Sequence, residues 1–302
     1  MKFGIHTYPF YQFPDLPSMV GYVQRAERLG YDYVDLPEHN AFPVEHESSM
    51  GQLWWDPIVL GAHLAHATKT IRLNFSVLIL PQHNPLTVAK QIATLDHVSN
   101  GRVGVGVGVG WLEGEMALWG ADYHKRGAIT EEYIQVMKAL WTTHPSAYQG
   151  KTVSISNVSC FPKPLQKPHP PIYVGGSPKT SCRRAAALGD GWMPMSASNM
   201  GFEEGMRVLK DALQSSGRSM QGFTIFKHLP LFDRNQEARE HSRKAGGGGD
   251  DPLHGDHARA IEEVRRYEQL GVTHMLVILP VGDFQRSIRE LEAFAEKVMH
   301  RL

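Results

Sequence analysis

Cysteine is nearly missing. The chain of 302 residues has two, Cys160 and Cys182. Their spacing fits no metal site, and so few argue against a disulfide scaffold. A reducing, cytoplasmic setting is the expectation. An excess of either charge is missing as well, because 31 Lys and Arg stand against 31 Asp and Glu. No basic field is left for nucleic acid, so no nucleic-acid partner is expected. No apolar run approaches the ~20 residues that a membrane span needs, which gives no reason to expect a membrane partner. The opening MKFGIHTYPF lacks the apolar core of a signal peptide. Neither G-x-S-x-G nor a P-loop sequence occurs, so serine-hydrolase and kinase readings are weak.

What is present is core-forming material, with 42% hydrophobic residues. The stretch from Ile71 to Trp111 organises it. Ile71 to Leu80 is apolar and branched with Pro81 as a stop, which suits a strand buried on both faces. Asn84-Pro85 reads as a helix N-cap and a first-position proline. Val88, Ile92, Leu95 and Val98 recur at helical spacing, and Asn100-Gly101 ends that helix. Arg102 to Val109 then alternates valine and glycine, so one strand face is Val103, Val105, Val107 and Val109 and the other is glycine. A dinucleotide fingerprint needs its third glycine three positions on and after a strand, not within one. That reading is rejected. A glycine face means close approach of a neighbour, either packed barrel side chains or a flat ligand.

The rest of the chain repeats the pattern. Strands are expected at Lys2–Thr7, Tyr31–Pro37, Pro171–Val174, Asp190–Met195, Phe223–Leu231 and Val272–Leu279. Between them lie helical stripes such as Leu16, Met19, Val23, Ala26, Leu29, and helices over 126–143 and Phe202–Leu213. Residues 145–171, with several prolines and short polar strands, read as an insertion after the fourth helix. The glycine-rich, charged stretch 234–256 reads as a mobile loop. Eight strand–helix pairs predict a (β/α)8 barrel of the TIM type, one domain over 1–302. An open doubly wound sheet is the alternative.

In such a barrel the site forms at the C-terminal ends of the strands. That rule selects His6-Thr7-Tyr8, Glu38-His39, Ser76-Val77 leading to Pro81-Gln82-His83, Gly110-Trp111 with Glu113 and Glu115 close by, and Gly175-Gly176-Ser177. The last group, followed by Pro178, reads as an anion site at a helix start or as an ordinary loop with a serine cap. His39 at the mouth reads as a general acid or base, or as a loop histidine bonded to a carbonyl. His39 and His46 with Glu38 and Glu45 fit no metal motif, so no metal is expected.

At this point three ordered blocks resemble a known family: IRLNFSVLILPQHNPLTVAKQIATLDHVSNGRVGVGVGVGW, RGAITEEYIQVMKALW and KPLQKPHPPIYVGGSPKTSCRRAAALGDGWMP. They are similar to the bacterial luciferase-like monooxygenase superfamily, and within it to the coenzyme F420-dependent oxidoreductases. The resemblance implies a TIM barrel with an insertion and a bound deazaflavin. It implies a cis peptide at Ser76-Val77 supporting the ring, and a cofactor phosphate at Gly175-Gly176-Ser177. Gly110-Trp111 would lie beside the cofactor, with Trp111 as a family aromatic. Glu38-His39 would stand near the hydride-accepting edge, with His39 moving a proton and Glu38 orienting it. His6 and Trp54 would shape the substrate pocket. Sugar-phosphate dehydrogenases of the branch carry Glu at the position of Trp111 and Asn at that of Gly114, which counts against that substrate. The implied activity is hydride transfer between F420 and a small organic substrate. The alternatives are an FMN-dependent monooxygenase using reduced flavin and oxygen, and a flavin-binding protein without turnover. A homodimer is implied by the resemblance alone.

Overall fold

The computed structural model describes residues 1–176, 179–195, 201–232 and 252–302. Among them, parallel strands close into a barrel of eight, as the alternating pattern predicts. The strands are β1 (Lys2–His6), β2 (Tyr33–Leu36), β3 (Arg72–Phe75) continued by β4 (Leu78–Ile79), β5 (Val103–Gly108), β8 (Ile172–Gly175), β9 (Gly191–Met193), β10 (Thr224–Leu229) and β11 (His274–Val277). Contact of β1 with both β2 and β11, and of β3 with β5, closes the ring. The insertion holds an antiparallel hairpin, β6 (Ser146–Gln149) and β7 (Ser154–Val158).

Helix ends follow the expected caps. Asp56 accepts the amides of Ile58 and Val59 at 2.9 and 2.7 Å at the start of α3 (Pro57–Ala67). Asn84 does the same for Leu86 and Thr87 at the start of α4 (Pro85–Val98). Asn100 and Gly101 leave that helix in the left-handed region, where glycine and asparagine are tolerated.

The valines of β5 are buried in the apolar core, and its glycines face the barrel interior. A Cβ on Gly104 would lie 2.2 Å from Asn74 Oδ1, and one on Gly106 would lie 1.9 Å from the Phe75 carbonyl oxygen. Packing of neighbours is therefore the reason for these two glycines. One expectation needs correction. Ile71–Leu80 is not one continuous strand, because the ladder breaks at Ser76-Val77 and Leu80–Gln82 turns as a short 3-10 helix. The loops also hold more helix than the pattern suggested, at α2 (Glu47–Met50) and α5 (Glu113–Leu118). Most of the 234–256 stretch, with Ser177 and Pro178, lies outside the described residues.

At the N-terminal end of the barrel, Arg102 ties four segments together. Its guanidinium donates to the carbonyls of Ser99, Ile71 and Ala65 at 2.7, 2.8 and 2.7 Å, and to the Thr68 hydroxyl at 2.9 Å. The fork geometry serves several acceptors that one ammonium does not reach together. Arg102→Lys is expected to cost about 2–4 kcal/mol, because buried carbonyls lose charge-assisted donors. Urea denaturation checks this, and an unchanged midpoint would contradict it.

Candidate active site at the barrel mouth

The C-terminal ends of β1, β2, β4, β5 and β8 bring most of the selected residues to one rim. His39 stands three residues past β2. Its Nδ1 lies 2.7 Å from Glu115 Oε2, while Glu115 Oε1 accepts the Asn40 amide at 2.9 Å. Glu115 is fully buried. A carboxylate only accepts, so the hydrogen belongs on Nδ1, and the neutral ring leaves Nε2 as its bare nitrogen. Among the described residues, no other group bonds that ring. Aromatic rings wall it in: Trp54 edge-on at 4.7 Å between centroids, Phe42 at 6.0 Å and Trp111 at 6.1 Å.

Glu38 does not orient His39, contrary to the expectation. Its side chain is fully buried and is already engaged. Ile79 donates its amide at 2.6 Å, and His83 Nε2 lies 2.9 and 3.0 Å from the two oxygens. Burial pushes the His83 pKa down, but the hydrogen bond and charge of Glu38, with a further push from Asp56, hold it above the usual histidine value. The sequence reading placed Glu115 near the mouth without a role. Its signal was faint: Leu112, Glu115 and Met116 form the buried side of a short helix. An acid on that face needed a partner, and the partner lies 76 positions away.

The peptide between Ser76 and Val77 is cis, as the resemblance implied. Val77 is half-buried, and its methyls lie where side chains on Gly108 and Gly175 would stand. A Cβ on those glycines would fall 2.4 and 2.8 Å from Val77 carbons. Gly110 turns the chain at φ +78 beneath Ile79 and Met116, and Trp111 is 54% exposed beside His46 as well as His39. Trp54 stacks on Tyr8 at 4.9 Å, and Tyr8 donates its amide to His6 Nδ1 at 2.8 Å. These contacts link the β1 end to the His39 wall.

The phosphate reading narrows. The Gly176 amide donates to the Met193 carbonyl at 3.1 Å, and the Gly176 carbonyl accepts from Trp192 Nε1 at 2.7 Å. Both backbone groups are used by the barrel, so they do not supply a phosphate site. Ser177 lies outside the described residues, just before α7 (Lys179–Leu188). Gly114 has Pro43 against it, where a Cβ would stand 2.6 Å from the proline ring. Among the described residues no cluster of His, Cys, Asp and Glu could hold a metal ion, and no helix is long and apolar enough to cross a membrane.

The profile of the luciferase-like monooxygenase family matches residues 1–274. The chain belongs to that family. It is 35% identical to an uncharacterised protein of Mycobacterium tuberculosis, over 92% of this chain and 91% of that one. It is 28% identical to the F420-dependent glucose-6-phosphate dehydrogenase of Amycolatopsis mediterranei, over 75% of this chain and 68% of the other. It is also 27% identical to the FMNH(2)-dependent dimethylsulfone monooxygenase of Pseudomonas putida, over 72% of this chain and 58% of the other. This luciferase-like family thus joins oxidoreductases and monooxygenases that use F420 with others that use FMN.

The hydrogen-bond pattern fixes a tautomer that is open to measurement. Nitrogen NMR of the His39 ring is expected to show a protonated Nδ1 and a bare Nε2 in the neutral form. Glu115→Ala should shift the proton towards Nε2, the form that free imidazole side chains favour. A spectrum unchanged by that substitution would contradict the assignment.

Proposed function

We propose that this protein is a coenzyme F420-dependent oxidoreductase acting on a small organic substrate with a hydroxyl or carbonyl group. The observation that carries the reading is the His39–Glu115 pair, a proton-handling imidazole held by a buried acid at the barrel mouth. When bound, the deazaflavin supplies two-electron hydride chemistry.

The residues present fit a flat ring. Val77, seated over Gly108 and Gly175, offers a half-exposed apolar floor with no side chain rising from the neighbouring strand ends. Ser76, Val77 and the backbone around Gly110 and Gly175 would hold the ring. Gly176 would not hold the phosphate of its tail, because its amide and carbonyl are already engaged. Trp111 and Trp54 flank the His39 ring.

Under this reading His39 does one task. Its Nε2 takes the proton of a substrate hydroxyl as that carbon is oxidised, or returns it to the oxygen in the reverse direction. Glu115 holds the ring in the needed tautomer and stabilises the imidazolium when it forms. Trp54, stacked on Tyr8, and His6 line the substrate side. Glu38 has no part in the proton transfer, because its oxygens are occupied elsewhere.

The test begins with titration of the apo-protein by F420 and by FMN, followed by ring fluorescence. Preferential binding of F420 is expected. A preference for FMN would move the protein to the reduced-flavin monooxygenases. Binding without turnover of any alcohol or carbonyl compound would favour a non-catalytic flavin-binding protein. With an active substrate in hand, His39→Asn should lower turnover by about 100-fold or more, the usual span for a lost general acid–base. A variant retaining near wild-type turnover would exclude His39 from proton transfer.

A further inference from the structure

Between β3 and β4 the barrel wall loses its ladder on one side. Among the described residues, β3 pairs with β2 and β5, but β4 pairs only with β5. On the β2 side the last backbone contact is the Ser76 amide on the Leu36 carbonyl at 2.9 Å, and β2 ends there. The Ile79 amide, two peptides beyond Val77, has no strand to meet. The Glu38 carboxylate takes that place, accepting Ile79 N–H at 2.6 Å. A side chain thus completes the ladder where the backbone has turned away.

A buried carboxylate is costly unless it is paired and bonded. His83 provides the pairing from the turn that follows β4, with Nε2 within 3.0 Å of both oxygens. The clamp therefore joins both ends of the segment that carries Val77. Strand end, carboxylate, Ile79 amide and His83 imidazole form one closed loop of contacts.

We propose that Glu38 and His83 are positioning residues, which hold the Ser76–Ile79 segment so that Val77 stands at the right height as the floor of the cofactor-ring site. The ring part rests on the function proposed above, whereas the clamp on the backbone stands without it. Val77 has little freedom, since its methyls already fill the space over Gly108 and Gly175. A shift of the segment by tenths of an ångström would change the surface that the ring meets.

The clamp has a pH dependence whose sign follows from His83. The titratable groups facing it are Glu38, from the loop after β2, and Asp56, at the start of α3. Its folded-state pKa lies above the ordinary value of 6.5. The contribution is therefore complete below the ordinary histidine pKa, and it is lost as pH rises through the raised one.

The experiment follows exchange of the Ile79 amide by NMR in the cofactor-free protein, corrected for base catalysis, with F420 and FMN titrations beside it. Glu38→Ala should speed exchange at Ile79 by about tenfold or more, the usual effect of losing a hydrogen bond to a charged acceptor. Glu38→Gln keeps the size and an acceptor oxygen, and should fall between the two even if the alanine variant folds poorly. Wild-type protection should fall as pH rises through the His83 titration, and His83→Gln should remove that pH dependence. F420 affinity should drop about tenfold in Glu38→Ala, in line with the lost backbone contact. Equal protection of Ile79 in all variants would overturn the clamp. Lost protection with unchanged F420 affinity would overturn the positioning role. If the wild type bound neither cofactor, the function reading and the ring-floor role would both fall, and the exchange data alone would decide the clamp.

Discussion

The contact between the Phe75 carbonyl and the Cα of Gly106 sets the form of this barrel mouth. The oxygen sits where any side chain at 106 would begin, so β5 has to be bare on its inner face at that level. Immediately beyond Phe75 the strand leaves its register, and Val77 turns its methyls into the room left by Gly108 and Gly175. The Val–Gly alternation is thus one half of a fit whose other half is the broken strand β3–β4. The valines bury themselves against the core, while the glycines admit a neighbouring backbone and a valine.

Breaking the strand has an electrostatic consequence. β4 loses its β2-side neighbour, and Glu38 answers the exposed amide. A second buried acid, Glu115, stands close by and answers the Asn40 amide. Each buried acid takes one backbone N–H and one imidazole, so neither is left without partners. The two pairs differ in where their histidines sit. His83 lies in the turn after β4, against the start of α3. His39 lies among Trp54, Phe42 and Trp111 at the mouth. Under the proposed roles, equivalent local chemistry serves as a brace in one place and as a proton carrier in the other.

Much of the architecture was readable because it is written locally. Asp56-Pro57 and Asn84-Pro85 mark helix starts through their own backbone amides, Asn100-Gly101 marks a helix end, and the alternation in β5 states its two faces directly. The rule that strand ends carry the site selected His39, Glu38, Ser76, Val77 and Trp111 without any contact being known. Partnership was the part that local reading could not reach. Glu38 and His39 are adjacent in the chain, and the resemblance implied that the first orients the second. Yet successive residues at a strand end point to different sides. Their partners, His83 and Glu115, are 45 and 76 positions away. The role assigned to Gly176 failed for a similar reason, since its amide and carbonyl serve β9 and Trp192 across the sheet.

The departures at Trp111 and Gly114 acquire a steric meaning once the loops are placed. Pro43, in the loop after β2, packs directly on Gly114, leaving no room there for an asparagine side chain without moving that loop. The same loop carries Phe42 to His39 and, further on, Trp54 to the stack on Tyr8. The wall around His39 is therefore indole and phenyl. Such a wall offers area to apolar groups and few hydrogen bonds to a polyol or a phosphate. Under the proposed function, a substrate that suits such a wall carries its polarity at one oxygen and is otherwise apolar. On the same proposed function, the barrel floor and the His39–Glu115 pair set the place of reaction, and the loop after β2 shapes the space above them.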